Sequence, residues 1–187
     1  MIKPRRIEGY VIISEDGMLA NAGRKMPPQL MFEADQRFFE KGLDAADVVV
    51  HGRHSQEQQP KSPFRRRLIL TRAVAAIASD PANAKALLWN PAGASFEEAL
   101  ATIGAADPVV AVIGGPDAFG LFLPRFDVFY LSRAPGVRLP GGIPVFPGVP
   151  ASTPEEVLAR NGLTPDRPKV LDAANGLSVV AWRRAPH

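Results

Sequence analysis

Two adjacent glycines, Gly114 and Gly115, follow an unbroken apolar run at positions 109–113. A run without polar alternation is typical of a parallel strand that is buried on both faces. Glycine lets another molecule approach the backbone closely, and the free amides that open a following helix suit a phosphate. The residues that open this helix are Pro116, Asp117, Ala118 and Phe119. The segment 114–119 is therefore a candidate phosphate site, and a simple tight turn is the alternative interpretation.

Polar and cationic residues follow two further predicted strands. The strand at 47–51 leads into a turn made of Gly52, Arg53, His54 and Ser55. A strand that begins at residue 67 leads to Thr71 and Arg72. In an open α/β sheet, ligands bind outside the carboxyl ends of the strands, and these side chains can hydrogen-bond phosphate oxygens. Two neighbouring anion sites would suit a dinucleotide with an extra 2′-phosphate, although the sequence has no Gly-x-Gly-x-x-Gly or Gly-Lys-Ser/Thr loop.

The order of elements that must position these turns alternates between strands and helices. Further strands are predicted at 7–13, 86–89, 127–131 and 143–146, and helices at 30–41, 95–103, from Pro116 and from Thr153. Residues 168–173 and 177–183, joined by an Asn-Gly turn, predict a terminal β-hairpin. This alternation predicts a single α/β domain over residues 1–187, with a mainly parallel sheet, flanking helices and a C-terminal antiparallel hairpin at one edge.

Composition excludes several classes of function. The chain has no cysteine and a net charge of +3, and its three histidines, His51, His54 and His187, form no metal-ligand pattern. No segment resembles a signal peptide or a membrane span, so we expect a cytoplasmic protein. The stretch between Glu57 and Asp80 has no acidic residue but holds Lys61, Arg65, Arg66, Arg67 and Arg72. It is either a solvated face or an anion footprint, and its lack of interleaved aromatics argues against nucleic acid.

These motifs together resemble the dihydrofolate reductase superfamily, which includes the reductase domain of bacterial riboflavin biosynthesis. The resemblance covers nearly the whole chain and is carried by the blocks 10–17, 49–55, 68–72, 112–119 and 122–131. It implies a reductase that uses NADPH and a small-molecule substrate. It also implies that Gly52–Ser55 and residues 114–119 bind the cofactor's phosphates, and that Thr71 and Arg72 bind its 2′-phosphate.

On the substrate side, the resemblance implies roles for three residues. Asp35, four residues before Phe39, matches the helix carboxylate of true dihydrofolate reductases and is the candidate catalytic residue, with Phe39 beside the substrate. Helical spacing predicts that Leu30 and Phe38 are buried and that Asp35 lies at the rim between core and solvent. Asp16 either holds its Asp-Gly turn or contacts the substrate.

Two loops favour one branch of the superfamily over the other. The loop after the first strand reads Met26-Pro27-Pro28, without the Pro-Trp pair of true dihydrofolate reductases. Ser14-Glu15-Asp16-Gly17 favours the riboflavin branch. The resemblance thus implies a riboflavin-type reductase. The two alternatives are a dihydrofolate reductase and a nucleotide-binding protein without turnover. Whether the chain forms a homodimer is left open.

Overall fold

A computed structural model describes residues 2–55 and 60–186; Glu57 and His187 lie outside the described residues. The β-strands are β1 (Arg6–Ile13), β2 (Met18–Ala20), β3 (Val48–Gly52), β4 (Arg67–Leu70), β5 (Ile77–Asp80), β6 (Asn83–Trp89), β7 (Val109–Val112), β8 (Val128–Arg133), β9 (Ile143–Pro144), β10 (Leu163–Pro165), β11 (Lys169–Asp172) and β12 (Leu177–Arg184). The α-helices are α1 (Glu33–Ala45), α2 (Phe96–Thr102), α3 (Pro116–Phe122) and α4 (Pro154–Arg160).

The main sheet has the strand order β10-β12-β8-β1-β7-β3-β4-β6-β5, with β11 also paired to β12. The strands from β8 to β6 in this order run parallel to one another. The predicted α/β class, with a C-terminal hairpin, is therefore confirmed. Antiparallel strands flank both edges rather than one, because β5 pairs with β6 at the far side from β12.

The central strands are buried on both faces, which explains their unbroken apolar sequence. Val110 and Val112 of β7 point into the main core, which is covered by α2 and α3, whereas Ala111 faces α1. Phe119 and Phe129 fill the main core with their rings 5.2 Å apart at 74°. Each strand of this region must therefore present an apolar or compact residue on either side.

The connections between β1, β7 and their neighbours create a crevice. From β1 the chain passes through α1 on one face to reach β3, beyond β7. From β7 it passes through α3 on the other face to reach β8, beyond β1. The loops that leave β1 and β7 thus diverge at the carboxyl ends of the strands, and this switch point is where ligands bind in open α/β sheets.

Helix α1 differs from its prediction in both extent and phase. Gly42 was expected to end it, but the helix continues to Ala45. A Cβ at Gly42 would lie 2.5 Å from the Tyr10 ring, so glycine is needed here for close packing of the helix on β1. Helices α2 and α4 begin where they were predicted to begin, since Ser95 and Thr153 are their N-caps and each closes a capping box.

Four short strands were missed or placed differently. Strand β2 was not predicted, and it pairs with β9 outside the main sheet. The strand expected at 143–146 is therefore shorter than predicted and does not lie at an edge of the main sheet. Strands β5 and β10 were also not predicted. No helix in residues 2–55 and 60–186 is long and apolar enough to cross a membrane.

Candidate active site

The glycine turns after β7 and β3 lie against each other. The Gly52 amide donates to the Gly114 carbonyl at 2.7 Å, and the Ser55 amide donates to the Gly52 carbonyl at 3.0 Å. A Cβ at Gly52 would lie 3.6 Å from the Gly115 nitrogen, and a Cβ at Gly115 would lie 3.1 Å from Ser55 Oγ. The two turns, at Gly52–Ser55 and Gly114–Gly115, therefore form one narrow cleft lined by backbone, which we call the cradle. A side chain at Gly52 or Gly115 would narrow it further.

The two glycines after β7 are needed for different reasons. Gly114 has φ +111°, a conformation that side chains disfavour, and the peptide that joins it to Gly115 is cis. Gly115 has an ordinary φ of −80°, and Ser55 Oγ is the neighbour that its Cβ would crowd. Glycine at position 114 is thus required by backbone conformation, whereas at position 115 it keeps the space in front of Ser55 clear.

The residues that open α3 divide between surface and core. Ala118 and Phe119 are fully buried, and the Phe119 amide donates to the Gly115 carbonyl at 3.0 Å. Pro116 has no amide hydrogen and Asp117 occupies the first turn. Because α3 is only seven residues long, its dipole adds little, and the cradle depends on the backbone of the two turns.

Cationic side chains extend the crevice beyond the cradle. Arg53 Nε donates to His54 Nε2 at 3.1 Å, and both side chains are exposed beside the β3 turn. Thr71 Oγ1 accepts from the Ala73 amide at 3.1 Å. Arg72 is exposed and forms no hydrogen bond or ion pair with the other residues of the described ranges. The edge next to the cradle therefore carries guanidinium groups that no carboxylate of the described ranges neutralises.

Asp35 is buried at the opposite end of the crevice. It is 8% exposed, rather than lying at the rim as predicted. The buried stripe of α1 runs through Asp35 and Leu43, and the half-buried Phe38 and Phe39 flank it. The buried face of α1 is therefore shifted by about one residue from the predicted face. The contact of Gly42 with Tyr10 explains the shift, because it fixes the rotation of the helix about its own axis.

Burial changes the chemistry of the Asp35 carboxyl group. Desolvation raises its pKa to about 6, although a hydrogen bond from the Ser132 hydroxyl opposes the rise. Ser132 is fully buried on β8, where it is paired with Ile12 near the carboxyl end of β1. A carboxyl group of this kind exists in both protonation states near neutral pH, so it can either donate or accept a hydrogen bond.

Phe39 packs on the aromatic cluster beneath α1. Its ring lies 6.2 Å from that of Tyr10 in an edge-on arrangement, and Tyr10 stacks on Tyr130 at 4.9 Å. The Tyr10 hydroxyl donates to the buried Glu8 carboxylate at 2.5 Å. Phe39 is half-buried, so part of its ring is accessible. Contact between Phe39 and a substrate stays a prediction.

Solved structures with the same architecture come from two branches. A protein from Shewanella sp. PV-4 assigned to riboflavin biosynthesis is 18% identical, has a TM-score of 0.65 and covers 97% of this chain and 99% of its own. Dihydrofolate reductase from Enterococcus faecalis, complexed with NADP(H) and RAB-propyl, is 18% identical with a TM-score of 0.59 over the whole of both chains. This chain has the dihydrofolate-reductase-like fold.

A third structure with this fold is the diaminohydroxyphosphoribosylaminopyrimidine deaminase/5-amino-6-(5-phosphoribosylamino)uracil reductase from Thermotoga maritima. It is 16% identical with a TM-score of 0.69, and the match covers 98% of this chain and 57% of the T. maritima chain. No protein-family model and no curated protein sequence matches the chain. The resemblance inferred from the sequence is confirmed at the level of the fold, with higher TM-scores on the riboflavin side.

Asp16 holds a loop of the dihydrofolate-reductase-like fold in place. Its carboxylate accepts from the Ser14 hydroxyl at 2.6 Å and from the Leu139 amide at 2.9 Å. Burial raises its pKa, but these hydrogen bonds outweigh burial and lower it overall. Glu15 next to it accepts from the Gly136 amide at 2.8 Å. The structure thus shows Asp16 as an anchor for the loop after β8, and its predicted contact with a substrate stays a prediction.

Ser132 is the site residue that the sequence interpretation missed. It lies on β8 next to another polar residue, Arg133, so no local pattern marked it as part of a site. His51 is buried, with Nδ1 2.8 Å from the Gly52 carbonyl oxygen. The loop at Met26-Pro27-Pro28 buries Pro27 and exposes Met26, and it offers no aromatic ring to a substrate.

The expected lack of a metal site stays a prediction, and no three His, Asp or Glu side chains of the described ranges are grouped as metal ligands.

Proposed function

We propose that this chain is an NADPH-dependent reductase of a small heterocyclic substrate of the riboflavin-pathway type. One observation carries the proposal: a buried carboxyl group, Asp35, lies at the same carboxyl edge of the sheet as the glycine cradle of Gly52 and Gly115. The cradle suits the phosphates of a dinucleotide, and the carboxyl group suits a ring with N–H or C=O groups. The fold shared with named reductases supports this assignment.

The residues after β7, β3 and β4 fit the cofactor in the order in which the strands lie. The cradle would hold the pyrophosphate through backbone amides and Ser55 Oγ, since a Cβ at either glycine would intrude there. Arg72, with Thr71 beside it, would bind the 2′-phosphate because its guanidinium has no partner in the described ranges. When bound, NADPH supplies a hydride, and the protein supplies orientation and electrostatics.

Asp35 would act on the substrate at the other end of the crevice. In its protonated form it donates a hydrogen bond to a ring nitrogen or carbonyl oxygen, which raises the electrophilicity of the reduced C=N or C=O group. In its ionised form it accepts from a ring N–H. Ser132 would hold the carboxyl group in place through a hydrogen bond from its hydroxyl. The loop anchored by Asp16 lies at the carboxyl ends of β1 and β8 and would limit access of water.

A titration followed by a paired assay tests the proposal. NADPH fluorescence should show saturable binding, and NADPH should then be oxidised with a phosphoribosylaminopyrimidine substrate but not with dihydrofolate. Turnover of dihydrofolate instead would assign the protein to the other branch. Binding without turnover of either substrate would favour a nucleotide-binding protein, and no binding would refute the proposal.

Arg72→Ala should weaken NADPH binding by about tenfold, because a charge-assisted hydrogen bond to a phosphate contributes about 1.5 kcal/mol or more and the site is exposed. NADH lacks the 2′-phosphate, so its affinity should be almost unchanged. The two dissociation constants are measured by fluorescence titration. Arg167→Ala, which removes an exposed arginine near the C-terminal hairpin, is the control. Equal losses for both cofactors would remove Arg72 from the 2′-phosphate site.

Dihydrofolate reduction is the second candidate function, favoured by the spacing of Asp35 and Phe39 on α1. Antifolates of the methotrexate type decide between the two, because the Met26-Pro27-Pro28 loop lacks the tryptophan expected next to a pterin. We expect no binding by calorimetry at micromolar concentrations. Submicromolar binding would contradict the riboflavin-type assignment and support the folate one.

A further inference from the structure

A groove at the amino edge of the sheet points to a second, separate binding site. It has a volume of about 690 Å³ and lies between the end of α1, the starts of β3, β4 and β6, and the end of α2. The candidate active site lies at the opposite, carboxyl ends of the same strands. We propose that this groove binds a small organic anion with a flat apolar body, through Arg66 and Lys85.

Several charged side chains line the groove, and some of them pair with one another. Lys61 Nζ lies 2.6 Å from Asp44 Oδ2, and Arg65 Nη2 lies 2.8 Å from Asp44 Oδ1. One carboxylate thus serves two cations. Asp47, the other acidic residue of the lining, accepts from the Val109 amide at 2.8 Å. The part of the lining that the structure describes holds four cations and two carboxylates, and Arg66 and Lys85 are the cations that do not pair with Asp44.

Arg66 and Lys85 carry the part of this charge that is available to a ligand. Arg66 Nη1 donates to the Gly104 carbonyl at 3.2 Å, and Lys85 Nζ donates to the Phe64 carbonyl at 3.3 Å. Both contacts are with neutral groups, so neither charge is compensated by a carboxylate of the described ranges. Arg66 immediately precedes β4 and Lys85 lies on the adjacent parallel strand β6, each one position before the paired Arg67 and Ala86. Their side chains therefore extend to the same face of the sheet.

The apolar part of the lining defines the rest of the ligand. Phe64 is 72% exposed, which is unusual for a phenylalanine, and it lines the same groove as the two cations. Leu87 and Ile103 contribute aliphatic surface on the same face as Arg66. A volume of this size is typical of small-molecule sites. The groove therefore suits a carboxylate, sulfonate or phosphate attached to an aromatic ring system.

The test uses 8-anilinonaphthalene-1-sulfonate, a flat aromatic anion whose fluorescence rises on binding. The wild-type protein should bind it saturably with one-to-one stoichiometry, and an excess of NADPH should leave this binding unchanged because the cofactor crevice is at the opposite edge. Arg66→Gln/Lys85→Gln should weaken binding of the dye by about tenfold or more, which corresponds to about 1.4 kcal/mol, because the double variant removes both charges that face the ligand. The matched control is Lys3→Gln/Arg167→Gln, which removes two exposed cations elsewhere.

Each outcome bears on the proposal. Equal weakening in both double variants would indicate a general effect of net charge and would overturn it. Displacement of the dye by NADPH would place the dye in the crevice and also overturn it, as would the absence of saturable binding. If the first double variant does not fold, Lys85→Glu carries the test, because it keeps the Arg66 bond to Gly104 and reverses one charge. The result is independent of whether the chain is a reductase.

Discussion

Asp35→Asn is expected to lower kcat/KM by about a hundredfold or more while leaving the affinity for NADPH unchanged. The carboxyl group is buried on the substrate side of the crevice, and its hydrogen-bond partner Ser132 lies on β8, away from the glycine cradle. Asparagine keeps the shape of the side chain but cannot give up a proton. Steady-state kinetics with the pyrimidine substrate measure the effect, and fluorescence titration measures cofactor binding.

The pH profile distinguishes a proton donor from a group that only holds the ring. Burial raises the pKa of Asp35 to about 6, so wild-type kcat/KM should fall as the pH rises through this value and the protonated form is lost. The residual activity of Asp35→Asn should lack this step. Glu33→Gln, an exposed carboxylate on the same helix, is the matched control and should leave both rate and profile unchanged. Unchanged kinetics in Asp35→Asn would make Asp35 a structural residue.

Gly115→Val is expected to weaken NADPH binding by about a hundredfold or more without unfolding the protein. The backbone of Gly115 has φ −80°, which valine can adopt, so the fold should tolerate the change. The new side chain would start 3.1 Å from Ser55 Oγ and fill the cradle. Cofactor affinity is measured by titration, and circular dichroism shows whether the variant is folded.

A control for the added bulk lies at the other end of the same strand. Ala106→Val introduces the same branched side chain at an exposed position before β7 and should bind NADPH as the wild type does. Gly115→Ala should fall between the two, because it adds the Cβ alone. A folded Gly115→Val protein with normal affinity would show that the two glycines form a structural turn and that the phosphates bind elsewhere.

The fold could be predicted largely because the central strands are buried on both faces. The apolar runs before Gly52 and Gly114 are short, unbroken and followed by glycine, a pattern that fixes both the strand and its carboxyl end. Helix α1 was harder, because its phase depends on the contact between Gly42 and Tyr10, which are 32 positions apart in the sequence. No local periodicity reports such a contact, and the burial of Asp35 was missed for that reason.

The candidate site, like the fold, could be predicted from the sequence only in part. The cradle residues could be placed from sequence because they immediately follow strands, and parallel strands bring their carboxyl ends to one edge. Ser132 required knowledge of the register between β1 and β8, which only tertiary pairing supplies. Strand β5 lacks a clear pattern, since its four residues are half-buried or exposed and only one of them is a large apolar residue. The single-domain organisation, the cytoplasmic location and any homodimer stay predictions.

The buried carboxyl group of Asp35 also makes folding depend on pH. Because its pKa rises from 3.8 to about 6 on folding, the native chain binds a proton more tightly than the unfolded chain does. The contribution of Asp35 to the free energy of unfolding should therefore decrease as the pH rises from about 4 to about 6, by up to about 3 kcal/mol, and stay lower above that range. Asp35→Asn should remove this decrease, so urea unfolding should find the variant more stable than the wild type at pH 7.5 and similar to it near pH 4. A residue that favours turnover would thus lower the thermodynamic stability of the native state at the pH where the protein works.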